Sequence, residues 1–263
     1  FSNGDRVLVI QMQGAQVDTS NTINFGSIID YKNAGNYEFN TIKSVSGNKI
    51  ELEFSLKNNY DLDGSLQLVY VPTYNDIIIS GKLTGQTWDG KSGGVIAIEA
   101  TGKVTLNANI DATGLGFRGG KSVYGDVNPP YCLPNPIYNT LASKEGGHKG
   151  EGIAVWNTNK ILNRGAWSNG GGGGNIHNGG GGGGALYSKG GQGGKIYEDP
   201  GFNPPCQGGN GLGGNQLVWK NNKIYMGGGG GSGHDNDKTS FPGGNGGGII
   251  IIKSSNVVLN NYN

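Results

Sequence analysis

Residues 85–92 have the spacing of a phosphate-binding loop, because they read GQTWDGKS and match the pattern G-x-x-x-x-G-K-S. That chemistry needs a helix directly after the lysine, since the N–H groups of the first helical turn bind the phosphates. Here Gly93 and Gly94 follow instead, and after them a strand-like run, 95–99. The sequence therefore predicts a turn rich in Gly, Asp and Lys at this position, without a nucleotide site.

Residues 114–119 read GLGFRG and match G-x-G-x-x-G, the pattern of a dinucleotide-binding turn. The match follows a strand-like run, but no helical pattern comes after it, and the chain continues to Pro129 and Pro130. A dinucleotide site needs strand, turn and helix in that order. We interpret both matches as chance products of a glycine-rich sequence and predict no cofactor.

Metal-binding and catalytic patterns are also incomplete. The three histidines, His148, His177 and His234, have no second ligand at a metal-binding spacing. Two acidic loops, 61–64 (DLDG) and 235–237 (DND), carry alternate oxygen donors for Ca²⁺, but neither completes a twelve-residue loop with a terminal Glu. Turn formation by Asp and Asn side chains explains them equally well. No local pattern joins paired carboxylates, a Ser/His/Asp set or a Cys/His nucleophile, so we predict a protein without metal that is not an enzyme.

The two cysteines, Cys132 and Cys206, each follow a double proline, in NPPYC and NPPC. Two matching rigid loops predict a disulfide between them, and the alternative is a pair of reduced surface thiols. In the chain-entropy model, closing a loop of this length stabilises the fold by about 4 kcal/mol. Such a bond is typical of proteins outside the cytoplasm.

Aromatic residues beside the glycine runs are the candidate contact residues for a ligand. A rigid aromatic side chain gives a large contact area at a low cost in conformational entropy. The alternative is that these rings form a thin core between the glycine segments. The five candidates are Trp156, Trp167, Tyr187, Trp219 and Tyr225.

The amino-acid composition limits which kinds of structure could position these residues. The chain has 263 residues, 54 of them glycine, which is about three times the usual share. The net charge of +1, without a basic cluster, excludes a nucleic-acid partner. No apolar run approaches 18 residues, so we predict no membrane-spanning helix.

Short β-branched and aromatic runs dominate the first 112 residues, and each is bounded by Gly, Asn, Asp or Pro. No stretch has the apolar period of a helix. We therefore predict an all-β fold with negligible α-helix, built on a β-sandwich or a β-solenoid-like scaffold. The predicted strands are 6–11, 37–45, 49–54, 66–71 and 76–80, with a hairpin at 46–48.

One internal similarity suggests how the scaffold closes. Residues 93–111 (GGVIAIEATGKVTLNANID) and 247–261 (GGIIIIKSSNVVLNN) share a Gly-Gly start, an apolar run and a V-x-L-N ending. We interpret them as two equivalent strand pairs or successive rungs of a solenoid. The chain then divides into a β-rich domain (1–112), a glycine-rich insertion (113–248) and return strands (249–263).

The insertion holds 42 of the 54 glycines. Composition alone points to a flexible linker, but apolar and aromatic residues recur between the glycine runs. A glycine run can adopt an extended helix of three residues per turn, and such helices can bond to one another through their backbones. We therefore predict a bundle of polyglycine-II-type helices, with its runs at 170–174, 179–184, 227–231 and 246–248.

Most of the first 120 residues resemble the N-terminal region of a family of large secreted surface proteins. The family comprises the adhesin-like and gliding-motility-associated proteins that Bacteroidota export through the type 9 secretion system. The residues that carry the resemblance are 7–11 (VLVIQ), 33–38 (NAGNYE), 68–72 (LVYVP), 88–90 (WDG), 93–98 (GGVIAI) and 109–120 (NIDATGLGFRGG). The resemblance implies a signal peptide already removed, export across the outer membrane and a carboxy-terminal sorting domain, which this sequence does not contain.

These observations together predict a non-catalytic structural and adhesive protein of the cell surface. Its expected partners are the outer-membrane translocon in transit and, afterwards, other surface proteins or surface glycans. Two alternatives come from other classes. One is a self-contained module that binds glycan or a surface, of the fibre-tip or ice-binding type. The other is a polysaccharide-acting enzyme on a β-helix.

Overall fold

The computed structural model describes residues 1–123, 137–139, 146–157, 159–175, 178–196, 208–235 and 241–260. Within these ranges the regular structure is β-strand, and the one helical element is a 3₁₀ turn at Leu62–Gly64. The predicted all-β class is therefore confirmed. The same ranges contain no helix long and apolar enough to cross a membrane. The predicted Cys132–Cys206 bond and His177 lie outside the described residues.

The first sheet is antiparallel and has four strands. Its central strand is apolar at four consecutive positions, as expected for a strand that is covered on both faces. The predicted turn at Gly47, which has φ +57°, joins two of the strands. In spatial order the strands are β5 (Lys49–Leu52), β4 (Tyr37–Ser46), β1 (Arg6–Gln11) and β6 (Leu66–Tyr70), with a small separate pair, β2 (Gln16–Val17) and β3 (Ile28–Asp30).

The second part of the scaffold is a parallel β-solenoid of three rungs. Each rung has two strands, and equivalent strands of successive rungs pair in parallel. The rungs are β7 (Thr73–Tyr74) with β8 (Ile77–Ile79), β9 (Val95–Ala100) with β10 (Lys103–Leu106), and β11 (Ile249–Lys253) with β12 (Asn256–Leu259). The scaffold therefore combines an antiparallel sheet with a solenoid.

The internal similarity in the sequence corresponds to two adjacent rungs. Val95 of β9 pairs with Ile249 of β11, and Val104 of β10 pairs with Val257 of β12. The asparagine after each V-x-L also aligns, because the Asn260 side-chain amide donates to the side chain of Asn107 at 3.1 Å. The interpretation as successive rungs is confirmed. The glycine-rich segment thus leaves after the second rung and returns at the third.

The glycine-rich segment forms a bundle of extended runs joined by backbone hydrogen bonds. We number the eight longest: run 1 (116–120), run 2 (146–152), run 3 (168–175), run 4 (179–185), run 5 (190–194), run 6 (208–215), run 7 (226–234) and run 8 (243–248). The N–H groups of run 7 donate in turn to runs 8, 4 and 2, and the cycle repeats after three residues. The donor–acceptor pairs are 227–247, 228–185, 229–151, 230–244, 231–182 and 232–148, at 2.8–3.0 Å.

A three-residue period of bonding directions is the signature of the polyglycine II helix. The described runs therefore form the predicted bundle of polyglycine-II-type helices. Its interior leaves no space for side chains: a Cβ at Gly229 would lie 2.0 Å from the carbonyl oxygen of Arg118. At the outer glycines Gly191 and Gly194 of run 5, a Cβ would meet nothing within 4 Å.

A shared core joins the bundle to the β-scaffold. Leu8 and Ile10 of β1 and Ala97 of β9 belong to the same buried cluster as Ile153 and Met226 of the glycine-rich segment. Trp88 packs edge-on against Phe117 of run 1, with ring centroids 5.8 Å apart. The bundle is therefore packed on the scaffold along its apolar residues.

An ionic cluster with a buried carboxylate lies at the same junction. The Glu151 side chain of run 2 is only 6% exposed and pairs with the Arg118 guanidinium of run 1. Glu151 also accepts from the Trp88 indole N–H at 3.0 Å and from the Arg118 backbone N–H at 3.2 Å. One carboxylate thus joins two glycine runs to the loop before β9.

A second carboxylate, Glu99 of β9, joins the sheet and the solenoid. It accepts from Arg6 of β1 at 2.8 Å and from Lys253 of β11 at 2.5 Å. Burial opposes its ionisation, but the hydrogen bonds from Lys253 and Arg6 outweigh burial and hold the Glu99 pKa below its usual value.

A lowered carboxyl pKa predicts stability that is present above the unfolded pKa of about 4.3 and is lost as pH falls through the folded pKa. We expect Glu99→Gln to lower the free energy of unfolding at pH 7 by about 1 to 2 kcal/mol. The difference from wild type should shrink in acid, as measured by urea unfolding from pH 7 to pH 3. Glu51→Gln, which breaks the exposed pair with Lys43, serves as control and should have a smaller effect. A pH-independent difference would contradict the role of the Glu99 charge.

Candidate functional site

The five predicted contact aromatics fall into two clusters. Tyr187 packs against Trp219, and Tyr225 packs against Tyr31 beside them. Trp156 and Trp167 form a second cluster with Phe25 and His148. The two clusters differ in how much ring surface they leave to solvent.

The Trp219 platform, defined as Tyr187, Val218 and Trp219, is the most exposed aromatic surface among the candidates. Trp219 is 65% exposed, Val218 61% and Tyr187 37%. The Tyr187 and Trp219 rings meet at 62° with centroids 5.5 Å apart. An apolar surface of this kind on a folded protein commonly marks an interaction site.

Buried neighbours hold the platform in place. Leu217 is 1% exposed, and its N–H donates to the Leu186 carbonyl at 2.6 Å, which fixes the ends of runs 4 and 6 side by side. The Val218 N–H donates to the Tyr31 hydroxyl at 2.7 Å. The Trp219 indole N–H donates to the Asn221 side chain at 3.1 Å. The exposed ring is therefore oriented before any ligand arrives.

Two lysines set the charge beside the platform. The Lys220 ammonium lies 5.1 Å from the centre of the Tyr31 ring, within cation–π range. The Lys223 ammonium donates to the Lys32 and Ala34 carbonyls and to the Asn36 side chain, at 2.6–2.9 Å. Burial first, and then the positive charge of Lys220, lower the Lys223 pKa. Lys223 therefore attaches the segment just before run 7 to the loop after β3.

The platform can bind a flat molecule that has weakly polar C–H groups and hydroxyls. The face of an aromatic ring carries partial negative charge, and C–H groups of a sugar ring lie favourably against it. The side-chain amides of Gln216 and Asn221 lie next to the rings, since Gln216 donates to the Tyr187 carbonyl at 2.7 Å. Such amides can hydrogen-bond sugar hydroxyls.

Tyr225 and Trp167 are not available as contact residues. Each is 4% exposed, and each belongs to a buried cluster. Trp167 packs on Phe25 with ring centroids 5.7 Å apart, and its indole N–H donates to the Ala154 carbonyl. For these two residues the alternative interpretation, packing in a thin core, is the one that holds.

Trp156 is half-buried and separates two open clefts. Its ring stacks on His148 at 5.5 Å, and burial lowers the His148 pKa. One cleft, of about 400 Å³, is lined by Ala15, Val17, Thr19, Val155, Trp156, Asn157 and Trp167. The other, of about 420 Å³, is lined by Gln13, Leu62, Asp63, Ser65, Leu66, Gly90, Lys91, Val155 and Trp156. Trp156 thus stays a candidate, with less exposed ring surface than Trp219.

The acidic loop at 61–64 is explained by local structure. It forms the 3₁₀ turn, the Asp61 N–H donates to the Gln11 side chain, and the Asp61 carboxylate accepts from Asn33. The described ranges contain no group of three or more His, Cys, Asp or Glu that could hold a metal ion. Of the other acidic loop, Asp235 is buried, and residues 236 and 237 lie outside the described ranges.

The two glycine motifs also have structural roles. Asp89 accepts from the N–H groups of Lys91 and Ser92, each at 2.8 Å, and β9 follows at Val95, so residues 85–92 form the predicted turn. Gly116 and Gly119 lie in run 1. A Cβ at Gly119 would stand 1.9 Å from the Gly243 carbonyl oxygen, so this glycine serves close packing.

Sequence reasoning missed Tyr31, Val218 and Lys220. Tyr31 lies 187 residues before Val218, and only the folded chain brings its hydroxyl to the Val218 N–H. For Val218 and Lys220 a signal did exist, since both are next to Trp219 in the chain. Comparison of the chain with protein-family models, curated proteins and solved structures found no match.

Proposed function

We propose that this chain is a non-catalytic structural and adhesive module of a bacterial cell surface, and that it binds glycan through the Trp219 platform. The observation that carries the proposal is the orientation of Trp219, which is 65% exposed and yet fixed by a hydrogen bond and by ring packing. An exposed ring that is already oriented loses little conformational entropy on binding.

The glycine bundle supports the structural part of the proposal. Its runs bond to one another through the backbone, and it packs on the scaffold through a shared core. A layer whose runs are joined by many backbone hydrogen bonds resists bending, because any shear between runs breaks several of those bonds together. A stiff layer that carries an aromatic surface suits a protein that must present a binding face away from its attachment point.

The resemblance of residues 1–120 to type 9 secretion cargo supports a location on the outer surface. On this proposal the chain meets the outer-membrane translocon in transit and then contributes to adhesion or gliding motility. Fractionation of a host with and without a functional translocon tests the location. The protein should reach the surface only when the translocon is intact, and equal surface amounts in both strains would refute this route.

We expect Trp219→Ala to weaken glycan binding by about 30-fold, which corresponds to about 2 kcal/mol for an interface hot spot. The measurement is binding of the full chain to a panel of immobilised bacterial and host polysaccharides, followed by titration with the best ligand. Phe241→Ala is the matched control, because Phe241 is an exposed aromatic, 80% accessible, outside the platform. It should bind like wild type.

Two results would overturn the glycan proposal. One is that the wild-type chain binds no polysaccharide in the panel. The other is that Trp219→Ala and the wild type bind with the same affinity while both remain folded. Release of reducing ends from any polysaccharide during the assay would instead favour the enzyme alternative.

A further inference from the structure

Run 7 is surrounded by neighbours on five sides. Its N–H groups donate to runs 8, 4 and 2, as described above. Its carbonyls at Gly227 and Gly230 accept from run 1, and those at Gly229 and Ser232 accept from run 3. A three-residue helix has three N–H directions and three carbonyl directions, so it can bond to six neighbours. The third carbonyl direction belongs to Gly228 and Gly231, and no described residue donates to either of them.

The two runs beside this open direction have unused donors at the same spacing. In run 4, Gly180 and Gly183 donate to run 5, and Gly182 donates to run 3, but the N–H groups of Gly181 and Gly184 have no acceptor among the described residues.

Run 8 repeats the pattern. Gly243 and Gly246 donate to run 1, while the N–H groups of Gly244 and Gly247 have no acceptor in the described ranges. Gly244 and Gly247 are exposed, and Gly181 and Gly184 are half-buried. Two donors on each wall therefore stand three residues apart.

Among the described residues, the floor between the walls is open at Gly230 and Gly233, whereas a Cβ at Gly227 would lie 2.8 Å from the Gly247 nitrogen. Gly227, Gly230 and Gly233 follow one another at the three-residue spacing, and all three are partly exposed. A Cβ at Gly230 would lie 3.5 Å from its nearest neighbour, the Gly244 nitrogen, and one at Gly233 would lie 3.6 Å from the Gly179 oxygen. We call this channel the run 7 groove: run 7 is its floor, and runs 4 and 8 are its walls.

We propose that the run 7 groove binds one extended Gly-Gly-X segment of a partner polypeptide as an additional polyglycine II helix. The partial charges of the groove determine which groups the ligand must have. The walls present N–H groups, which carry partial positive charge, and the floor presents carbonyls, which carry partial negative charge. A helix of three residues per turn has carbonyls in two directions for the walls and N–H groups in one direction for the floor. It can therefore pair all six groups, of which one belongs to the buried Gly228 and the other five to residues that are half-buried or exposed.

The same geometry explains why the ligand must have a Gly-Gly-X repeat. Two of every three residues of the ligand face the floor or a wall and must lack a Cβ, as the interior glycines of this bundle do. The third residue faces solvent and accepts any polar side chain. The outer runs of this chain have that sequence, GGQGG at 190–194 and GGNGG at 243–247, with Gln192 and Asn245 exposed. A proline-rich segment does not fit, because proline has no N–H for the floor and its ring has the bulk of a side chain.

The test uses the full chain labelled with ¹⁵N and the peptide acetyl-(Gly-Gly-Asn)₅-amide at up to 10 mM. We expect the amide signals of Gly181, Gly184, Gly244 and Gly247 to shift and their hydrogen exchange to slow at least tenfold. Gly230→Ala should abolish both effects, because its methyl group fits the fold but fills the groove. Gly194→Ala is the matched control on the outer face of run 5, and it should respond like wild type.

The proposal is wrong if the four amides do not respond to 10 mM peptide, or if Gly230→Ala, still folded, responds like wild type. It is also wrong if acetyl-(Pro-Pro-Asn)₅-amide produces the same shifts. Thermal unfolding of each variant checks that the fold is intact. The readout does not involve glycan, so its outcome is independent of the Trp219 platform.

Discussion

Gly229→Ala is expected to lower the free energy of unfolding by about 3 kcal/mol, the upper end of what overpacking usually produces. The new Cβ would stand 2.0 Å from the Arg118 carbonyl oxygen and 2.4 Å from its carbonyl carbon. Backbone atoms held by neighbouring runs cannot rotate away as a side chain can, so at least one run must shift. Thermal unfolding followed by circular dichroism should show a midpoint about 6 to 12 °C below wild type.

Gly194→Ala provides the matched comparison, since it makes the same chemical change in the same kind of helix. Its Cβ would meet nothing within 4 Å. Its unfolding midpoint should equal that of wild type or rise slightly, because alanine restricts the unfolded chain more than glycine does. Equal losses at both positions would mean that glycine is needed for its backbone freedom throughout, and that the close approach of the runs is not the reason.

Glu151→Gln is expected to lower the free energy of unfolding by about 2 to 3 kcal/mol, because the substitution weakens several hydrogen bonds to a buried charged group. The amide keeps the shape of the side chain, but it cannot accept from Arg118 and Trp88 as a carboxylate does. The Glu151 side chain is 6% exposed, so water does not take its place, whereas the Arg118 side chain is 41% exposed and water partly replaces its lost partner. Urea unfolding at pH 7 measures the change.

Arg118→Gln should destabilise to a similar extent, because it leaves the Glu151 charge buried with the Trp88 indole as its remaining side-chain donor. Glu53→Gln, which removes an exposed carboxylate of the first sheet region, is the control and should be close to neutral. If Glu151→Gln is as mild as Glu53→Gln, the ionic cluster does not hold the runs to the scaffold.

Much of the β-scaffold could be predicted from the sequence, because its strands have strong local signals. The run 6–11 coincides with β1, and the turn at 46–48 joins β4 to β5. The similarity between 93–111 and 247–261 even gave the register of adjacent rungs. In parallel rungs the same positions stack on one another, so the rungs tend to look alike in sequence.

Strands β2, β3 and β7 were not predicted. Each has only two or three residues, and a run so short has no measurable alternation of apolar and polar positions. Their pairing depends on contacts with distant parts of the chain.

The bundle was predictable as a class but not in its arrangement. Identical glycines carry no information on which run is the neighbour of which, so the five neighbours of run 7 could not be read from the sequence. The same limit applies to the aromatics. Trp219 and Tyr225 both flank glycine runs, yet one is exposed and the other buried, because Tyr31 and the shared core cover only Tyr225.

The route of the chain between the second and third rungs has a kinetic consequence. Glu99 and Lys253 contact each other across 154 residues of sequence, and the whole bundle lies between them. Closing so long a loop carries an entropic barrier, and contacts between such distant residues slow folding. During synthesis, β9 and β10 emerge first, but one edge of each waits for partners that follow only after the whole glycine-rich segment. The third rung can therefore pair with the second, and so close the scaffold, only after the whole glycine-rich segment has been synthesised.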